Sequence, residues 1–210
     1  AIKLTNPTEK KQMLKEGIFY LNRAITVYPE YIDALLLMGN AQWQLTNDIN
    51  NTMPYYYKVL AINPNHQNTW QNCFIVLEQS KNVNARIQAY QTLQRYNPNK
   101  PTLYLNLGRA LGREKNDLAG AQTYLEMGRK IAPNNYDILT NLGTLYGLKQ
   151  NYTSAIEVLN QALQLQAKVA KTHVDLGLSY FYSGQLDQAK EMFDKAVQLD
   201  NTINRSQFPI

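Results

Sequence analysis

The chain has 210 residues, of which 44% are hydrophobic and 18% charged, and its formal net charge is +5. No run reaches the roughly 18 apolar residues of a membrane-spanning helix, and a single cysteine excludes internal disulfides and cysteine-rich metal sites. The basic residues are spread along the chain without a basic run, so nucleic acid is not expected as a partner, and nucleic-acid binding ranks third among the functions considered. We expect a soluble segment without membrane contact, and the low charged fraction favours a periplasmic or other extracytoplasmic location over the cytoplasm.

The first predicted element is a helix over residues 7–30. Asn6, Pro7 and Glu9 form a helix start, because the Asn6 side chain can accept hydrogen bonds from the first turn and proline suits the first helical position. Apolar residues follow at helical spacing until Pro29 ends the helix. This element corresponds to half of a helical hairpin.

Four prolines then define a repeat, because Pro29, Pro64, Pro98 and Pro133 are 35, 34 and 35 residues apart. A period near 34 residues predicts stacked hairpins of two helices each. The pattern of Ala, Leu and Gly continues beyond the last of these prolines. We therefore predict a single domain over 1–210. Its five hairpins are expected at 32–66, 67–100, 101–135, 136–169 and 170–201, and a short tail at 202–210.

Glycines recur inside the first helices of these hairpins, each directly after an apolar residue. Glycine in a helix costs about 1 kcal/mol relative to alanine, so its recurrence needs a packing reason. We predict that the second helix crosses the first at this point and leaves no room for a side chain. The second helices show small residues seven positions apart with a large residue between them. The recurring glycines are Gly39, Gly108, Gly143 and Gly177.

This order of bulky, Leu-Gly, aromatic and small residues resembles the tetratricopeptide repeat (TPR) family over about residues 10–200. The resemblance implies an all-α, right-handed superhelical solenoid of antiparallel helix hairpins. It also implies a non-catalytic scaffold that binds an extended peptide or a protein surface in a concave groove. A looser resemblance to repeat tails that follow membrane glycosyltransferases in some bacteria leaves open an alternative, an accessory, substrate-recruiting region of a larger enzyme.

Two hairpins depart from the family pattern in length and one in packing. In hairpin 32–66, Pro54 falls inside the expected second helix, and we predict that Thr52 caps a shortened helix starting around Met53. A further one-residue expansion is expected around residues 117–120. In hairpin 67–100, Phe74 replaces the glycine, so the packing there is expected to differ.

The family geometry places the first helices along the groove, and counting along them gives the candidate binding residues. Arg109 and Arg113 lie one helical turn apart and are suited to bind a carboxylate or a phosphate by their planar forks. Gln71, Thr144 and Lys171 face the same groove. No basic or polar residue here forms a catalytic pattern.

Three asparagines recur in the groove at spacings of 34 and 35 residues: Asn72, Asn106 and Asn141. An amide offers both a donor and an acceptor, which suits the backbone of an extended peptide. The arrangement resembles the asparagine ladder of TPRs attached to O-linked N-acetylglucosamine transferases. The alternative is that these amides bond to a neighbouring helix or loop.

Catalytic, cofactor and metal sites are not predicted. His66 and His173 are far apart in sequence and have no metal-ligand pattern around them, and Cys73 occupies a buried apolar position. At the other end of the chain, the last helix is expected to end near Leu199, without a further helix to cap it. We expect this uncapped C-terminal end to be able to dock another copy of the chain.

Overall fold

The computed structural model describes residues 6–210, which form α-helices joined by short loops, without a strand among them. They divide into two compact units, one ending at Pro98 and one spanning Asn99–Ile210. The all-α prediction and the sequence of one helix followed by five hairpins are confirmed, whereas the single domain stays a prediction. The helices of the described chain are α1 (Pro7–Val27), α2 (Ile32–Thr46), α3 (Ile49–Ile62), α4 (Gln67–Gln79), α5 (Val83–Leu93), α6 (Pro101–Arg109), α7 (Leu118–Ile131), α8 (Tyr136–Leu148), α9 (Tyr152–Leu165), α10 (Ala170–Tyr182) and α11 (Leu186–Leu199).

Seven of the eleven α-helices in residues 6–210 begin after a residue whose side chain caps the first turn. Asn6 starts α1 as expected, since its Oδ1 accepts a hydrogen bond from Thr8 N at 3.0 Å and its own N–H donates to Glu9 Oε2 at 3.3 Å. The same chemistry recurs inside the array, where Asn135 Oδ1 accepts from Ile138 N at 3.0 Å at the start of α8. All five predicted first helices, α2, α4, α6, α8 and α10, begin at the residue that opens the corresponding predicted hairpin.

The recurring glycines lie where the two helices of a hairpin cross. A Cβ added at any of them would come within 2.4 to 2.6 Å of one large residue on the second helix, closer than side chains pack. Glycine therefore lets the two helices approach, which confirms the packing reason predicted for it. The contacting pairs are Gly39 with Tyr56, Gly108 with Leu125, Gly143 with Leu159, and Gly177 with Phe193.

The hairpin α4–α5 is the exception. Its two backbones approach each other less closely than those of the other four hairpins. Phe74 stands where the others have glycine, and its ring stacks on Trp70 of the same helix, with the centroids 6.1 Å apart. The packing difference expected at this position is therefore present.

The prediction for the second helix of hairpin 32–66 was wrong. Helix α3 begins at Ile49, with Asp48 as its cap, and it includes Pro54. Thr52 is buried inside the helix and donates to Asp48 O at 2.9 Å. Proline is tolerated because the carbonyl left without a donor belongs to Asn50, an exposed residue whose backbone can bond to water. The extra residue is absorbed in α2 instead, which is fifteen residues long where α4, α8 and α10 have thirteen.

The one-residue expansion in hairpin 101–135 also lies elsewhere than expected. Residues Ala110–Glu114 form a π-helical turn directly after α6, in which Lys115 N donates to Ala110 O at 3.2 Å. A π turn adds one residue to a helical turn. Residues 117–120 instead form an ordinary capped helix start, with Asp117 Oδ1 accepting from Gly120 N at 2.8 Å.

The C-terminal tail covers the last helix, so the expectation of an uncapped end was wrong. The ring of Phe208 stacks on that of Phe193 in α11, with centroids 4.1 Å apart and planes at 6°. Arg205 holds this arrangement, because its Nε donates to Asp194 Oδ1 at 2.7 Å and its guanidinium lies 5.6 Å from the Phe193 centroid. Docking of a second copy at this end stays a prediction.

Candidate functional site

The predicted binding residues fall in both units and form two separate sets. Gln71 and Asn72 lie on α4 of the first unit, and Gln71 is exposed. The other six lie in the second unit: Asn106, Arg109, Arg113, Asn141, Thr144 and Lys171. The second set contains all the predicted cations, and it is the set that surrounds a cavity.

That cavity, here the cationic cavity, has a volume of about 220 Å³ and lies among α6, its π turn, α8 and α10. Its lining includes Arg109, Arg113, Asn141, Thr144 and Lys171. Helical spacing explains the set, because residues four apart on one helix face the same side. The structure therefore brings five of the eight predicted residues together.

Asn141 is the centre of the cationic cavity. Its Oδ1 accepts from Arg113 Nη2 at 3.2 Å and, more distantly, from Arg109 Nε at 3.5 Å. Its Nδ2 donates to the backbone oxygen of Asp137 at 2.6 Å. Arg109 also lies 3.5 Å from the Asp137 carboxylate, an exposed pair of small energetic weight. Arg113 thus bonds to a neutral amide oxygen, and its charge stays available to an anionic ligand.

The other side of the cationic cavity is built around Asp175, which sequence reasoning missed. Its carboxylate pairs with Lys171 one turn earlier in α10, and Thr144 Oγ1 of α8 lies 3.1 Å from its Oδ2. The spacing of four from Lys171 was the signal that pointed to it. With Asp137 and Asp175 counted, the cavity carries three cations and two carboxylates, and therefore a net positive charge.

In the first unit, Asn72 joins two helices. Its Nδ2 donates to Asn40 Oδ1 of α2 at 2.9 Å, and Tyr56 Oη donates to the same oxygen at 2.7 Å. Asn106 lies half-buried on α6. Asn72 and Asn141 thus already bond to protein groups, and binding of a peptide by the three asparagines stays a prediction.

Comparisons with known proteins agree with the helical architecture. Residues 136–202 match the family model described as tetratricopeptide repeat. The crystal structure of MamA superposes with a TM-score of 0.65 at 19% identity, over 87% of this chain and 97% of that one. The chain thus has the tetratricopeptide repeat fold, and its residues 136–202 match the model of that family. YrrB, described as a TPR protein with an unusual peptide-binding site, has a TM-score of 0.66 at 16% identity, over 86% of this chain and 92% of its own.

Curated relatives of this TPR chain are longer proteins. BBSome complex member BBS4 of Bos taurus is 24% identical over 196 residues, which are 89% of this chain and 36% of the relative. Protein O-mannosyl-transferase TMTC3 of Homo sapiens is 20% identical over 159 residues, or 69% of this chain and 17% of the relative. The chain thus spans about a third or less of the length of these two relatives.

The histidines and the cysteine of the TPR array have structural positions. His66 caps α4, where its Nδ1 accepts from Thr69 N at 3.3 Å, and His173 Nε2 lies 2.8 Å from Ala167 O. Burial raises the pKa of the Cys73 thiol, which keeps it protonated and unreactive. Over residues 6–210 there is no group of three or more potential metal-binding side chains, and no helix there has the length and hydrophobicity to cross a membrane.

Proposed function

We propose that this TPR chain is a non-catalytic scaffold that binds an extended peptide or partner surface along its first helices. The observation that carries the proposal is the cationic cavity, where two first helices of one unit, α6 with its π turn and α10, direct Arg109, Arg113 and Lys171 to one concave place. A scaffold needs such a place, because contacts from several successive repeats have to meet on one ligand.

The chemistry of the cationic cavity suits an acidic side chain or a carboxylate. An arginine guanidinium presents parallel N–H donors to a carboxylate, and hydrogen bonds between charged groups are stronger than neutral ones. Because Asn141 holds Arg109 and Arg113 by its amide oxygen, their guanidinium groups are already positioned before a ligand arrives. Less conformational entropy is then lost on binding.

The test is a pull-down from the native source with mass spectrometry, followed by affinity measurement on the captured partner. We expect the double variant Arg109→Ala, Arg113→Ala to weaken binding about tenfold or more, because hydrogen bonds between charged groups are lost. The matched control removes two exposed arginines outside the cavity, Arg23→Ala with Arg95→Ala. Equal binding by wild type and both variants, with helicity intact, contradicts the proposal.

The asparagines are tested separately with Asn106→Ala and Asn141→Ala. A groove role predicts weaker binding of the partner with an unchanged circular dichroism spectrum. Unchanged affinity with lost helicity indicates a purely structural role for both amides.

A second candidate function is an accessory, substrate-recruiting region within a larger enzyme. The observation that favours it is the match to part of TMTC3, a protein O-mannosyl-transferase, of which the chain spans 17%. The full-length reading frame decides between the two. A hydrophobic multi-span region in the same polypeptide supports the accessory role, and a full-length protein without such a region contradicts it.

A further inference from the structure

A second cavity, here the tyrosine-walled cavity, lies between α8 and α10 in the same unit. Its volume is about 200 Å³, and its apolar lining comes from Leu148, Tyr152, Leu178 and Tyr182. The rings of Tyr152 and Tyr182 stack on each other, with centroids 5.5 Å apart and planes at 19°. Leu148 and Tyr182 are 66% and 60% exposed, so their apolar surface lies open to solvent at this wall.

Gly147 keeps the tyrosine-walled cavity open. A Cβ added at this residue would meet no atom within 4 Å, so the packing of the chain does not require glycine here. Gly143, one turn earlier on α8, is different, because its Cβ would come within 2.4 Å of Leu159. A glycine inside a helix lowers helix stability. At Gly147 the space that the missing side chain leaves belongs to the cavity and does not admit another helix.

The tyrosine-walled cavity lies next to the cationic cavity. Thr144 and Asp175 line both of them. On α8, the residues that line the tyrosine-walled cavity lie on average about six positions after those that line the cationic cavity. At the rise of an α-helix, this separation is about 9 Å. An extended peptide covers this distance with about three residues. One ligand therefore reaches both cavities with two side chains that lie near each other in sequence.

We propose that the tyrosine-walled cavity binds a large aliphatic or aromatic side chain of the same peptide whose acidic side chain binds Arg109 and Arg113. This inference rests on the proposed function and names its ligand: an extended peptide with an acidic residue and a bulky apolar residue two or three positions apart. The charge complementarity of the cationic cavity determines the first position, and the apolar walls beside Gly147 determine the second. Asp175 lines both cavities, and its negative charge disfavours a second acid there.

The test uses short fluorescein-labelled peptides of Gly and Ser that carry one Asp and one Leu at varied spacing, with fluorescence anisotropy as the readout. We expect the tightest binding at a spacing of two or three residues. Replacing the peptide Leu by Ala should weaken that binding about tenfold, because burial of the leucine side chain is lost.

The variant Gly147→Leu fills the tyrosine-walled cavity. It should abolish the tenfold preference for Leu over Ala in the peptide while leaving the dependence on the peptide Asp. The control is Gly17→Leu on α1, where an added Cβ also meets no atom within 4 Å. This control should bind both peptides as wild type does.

The outcomes separate this inference from the proposed function. If binding depends on the peptide Asp and on Arg109 with Arg113, but Leu and Ala peptides bind equally, the tyrosine-walled cavity is not a binding site and the scaffold proposal stands. If Gly147→Leu keeps the full preference for Leu, the leucine binds elsewhere and the inference is overturned. If no peptide binds in an Asp-dependent way, both proposals are overturned.

Discussion

The terminal helices α1 and α11 share a pattern of one small, one large and one small residue, here called the seam. They differ in what covers it. Helix α7, inside the array, shows the pattern in full: its small, large and small residues stand twelve, eight and five positions before Pro133. Helix α1 has the same arrangement before Pro29. In α11 the three seam residues are fully buried, whereas no residue of α1 is buried. The seam of α1 is Gly17, Leu21 and Ala24, and that of α11 is Ala189, Phe193 and Ala196.

This difference shows that burial of the seam comes from its partner and not from the residue types. Helix α11 lies against the glycine of α10, and the tail covers its other side with Phe208. Helix α1 packs on α2, but over residues 6–210 no first helix lies against Gly17. The exposed residues Met13, Phe19 and Tyr20 are consistent with a helix that is packed on one side alone.

The largest effect that tests this comparison is expected from truncating the large seam residue in each helix. Phe193→Ala should lower the free energy of unfolding by about 3 to 5 kcal/mol, because a buried ring between two packed surfaces is lost. Leu21→Ala should cost about 1 kcal/mol or less, since Leu21 is half-exposed. Urea unfolding gives the size of each loss, and amide hydrogen exchange assigns it to a unit. Equal losses would mean that the seam of α1 is covered in solution.

A smaller effect, opposite in sign at the two positions, is expected from adding a methyl group at Gly177, the glycine of α10 that contacts α11, and at Gly17 of α1. Gly177→Ala should destabilise the chain by about 1 to 3 kcal/mol, because the new Cβ would lie 2.6 Å from the ring of Phe193. Gly17→Ala should stabilise α1 by about 1 kcal/mol through helix propensity. Thermal unfolding of both variants beside wild type is the measurement. A loss of stability from both changes would contradict an open seam.

Much of the fold was predictable because its signals are local. Proline or a capping residue marks the start of most of the helices, and the recurring glycines indicate where the two helices of one hairpin cross. The errors arose where solvent or a distant residue decides. Pro54 is tolerated inside α3 because Asn50, whose carbonyl loses its helical donor, is an exposed residue, and the tail covers α11 because Phe208 stacks on Phe193.

The sequence likewise allowed some residues of the candidate site to be predicted and not others. Helical spacing placed Arg109, Arg113 and Lys171 on one side of their helices, and all three line one cavity, whereas their binding of a ligand stays a prediction. Tyr152 could not be assigned to a cavity from the sequence, because it belongs to a second helix and reaches the groove through its stacking on Tyr182. That contact depends on the orientation of α9 relative to α10, which the repeat pattern alone does not determine.

The smallest effect concerns the tail. Phe208→Ala should destabilise the second unit by about 1 kcal/mol, the usual value of an aromatic pair, because the ring stacked on Phe193 is removed. Phe19→Ala on α1 is the control, since that ring is 58% exposed and its loss should change stability by less than about 0.5 kcal/mol.

The tail variant also tests whether a covered end limits self-association. Without Phe208, the outer face of Phe193 becomes accessible, and exposed apolar patches on a repeat end favour stacking of one copy on another. Light scattering over a range of concentrations should show a monomer for Phe19→Ala and a rise in mass with concentration for Phe208→Ala. If both variants behave alike, the tail adds stability to α11 but does not control assembly, and the comparison between the two terminal helices then concerns packing alone.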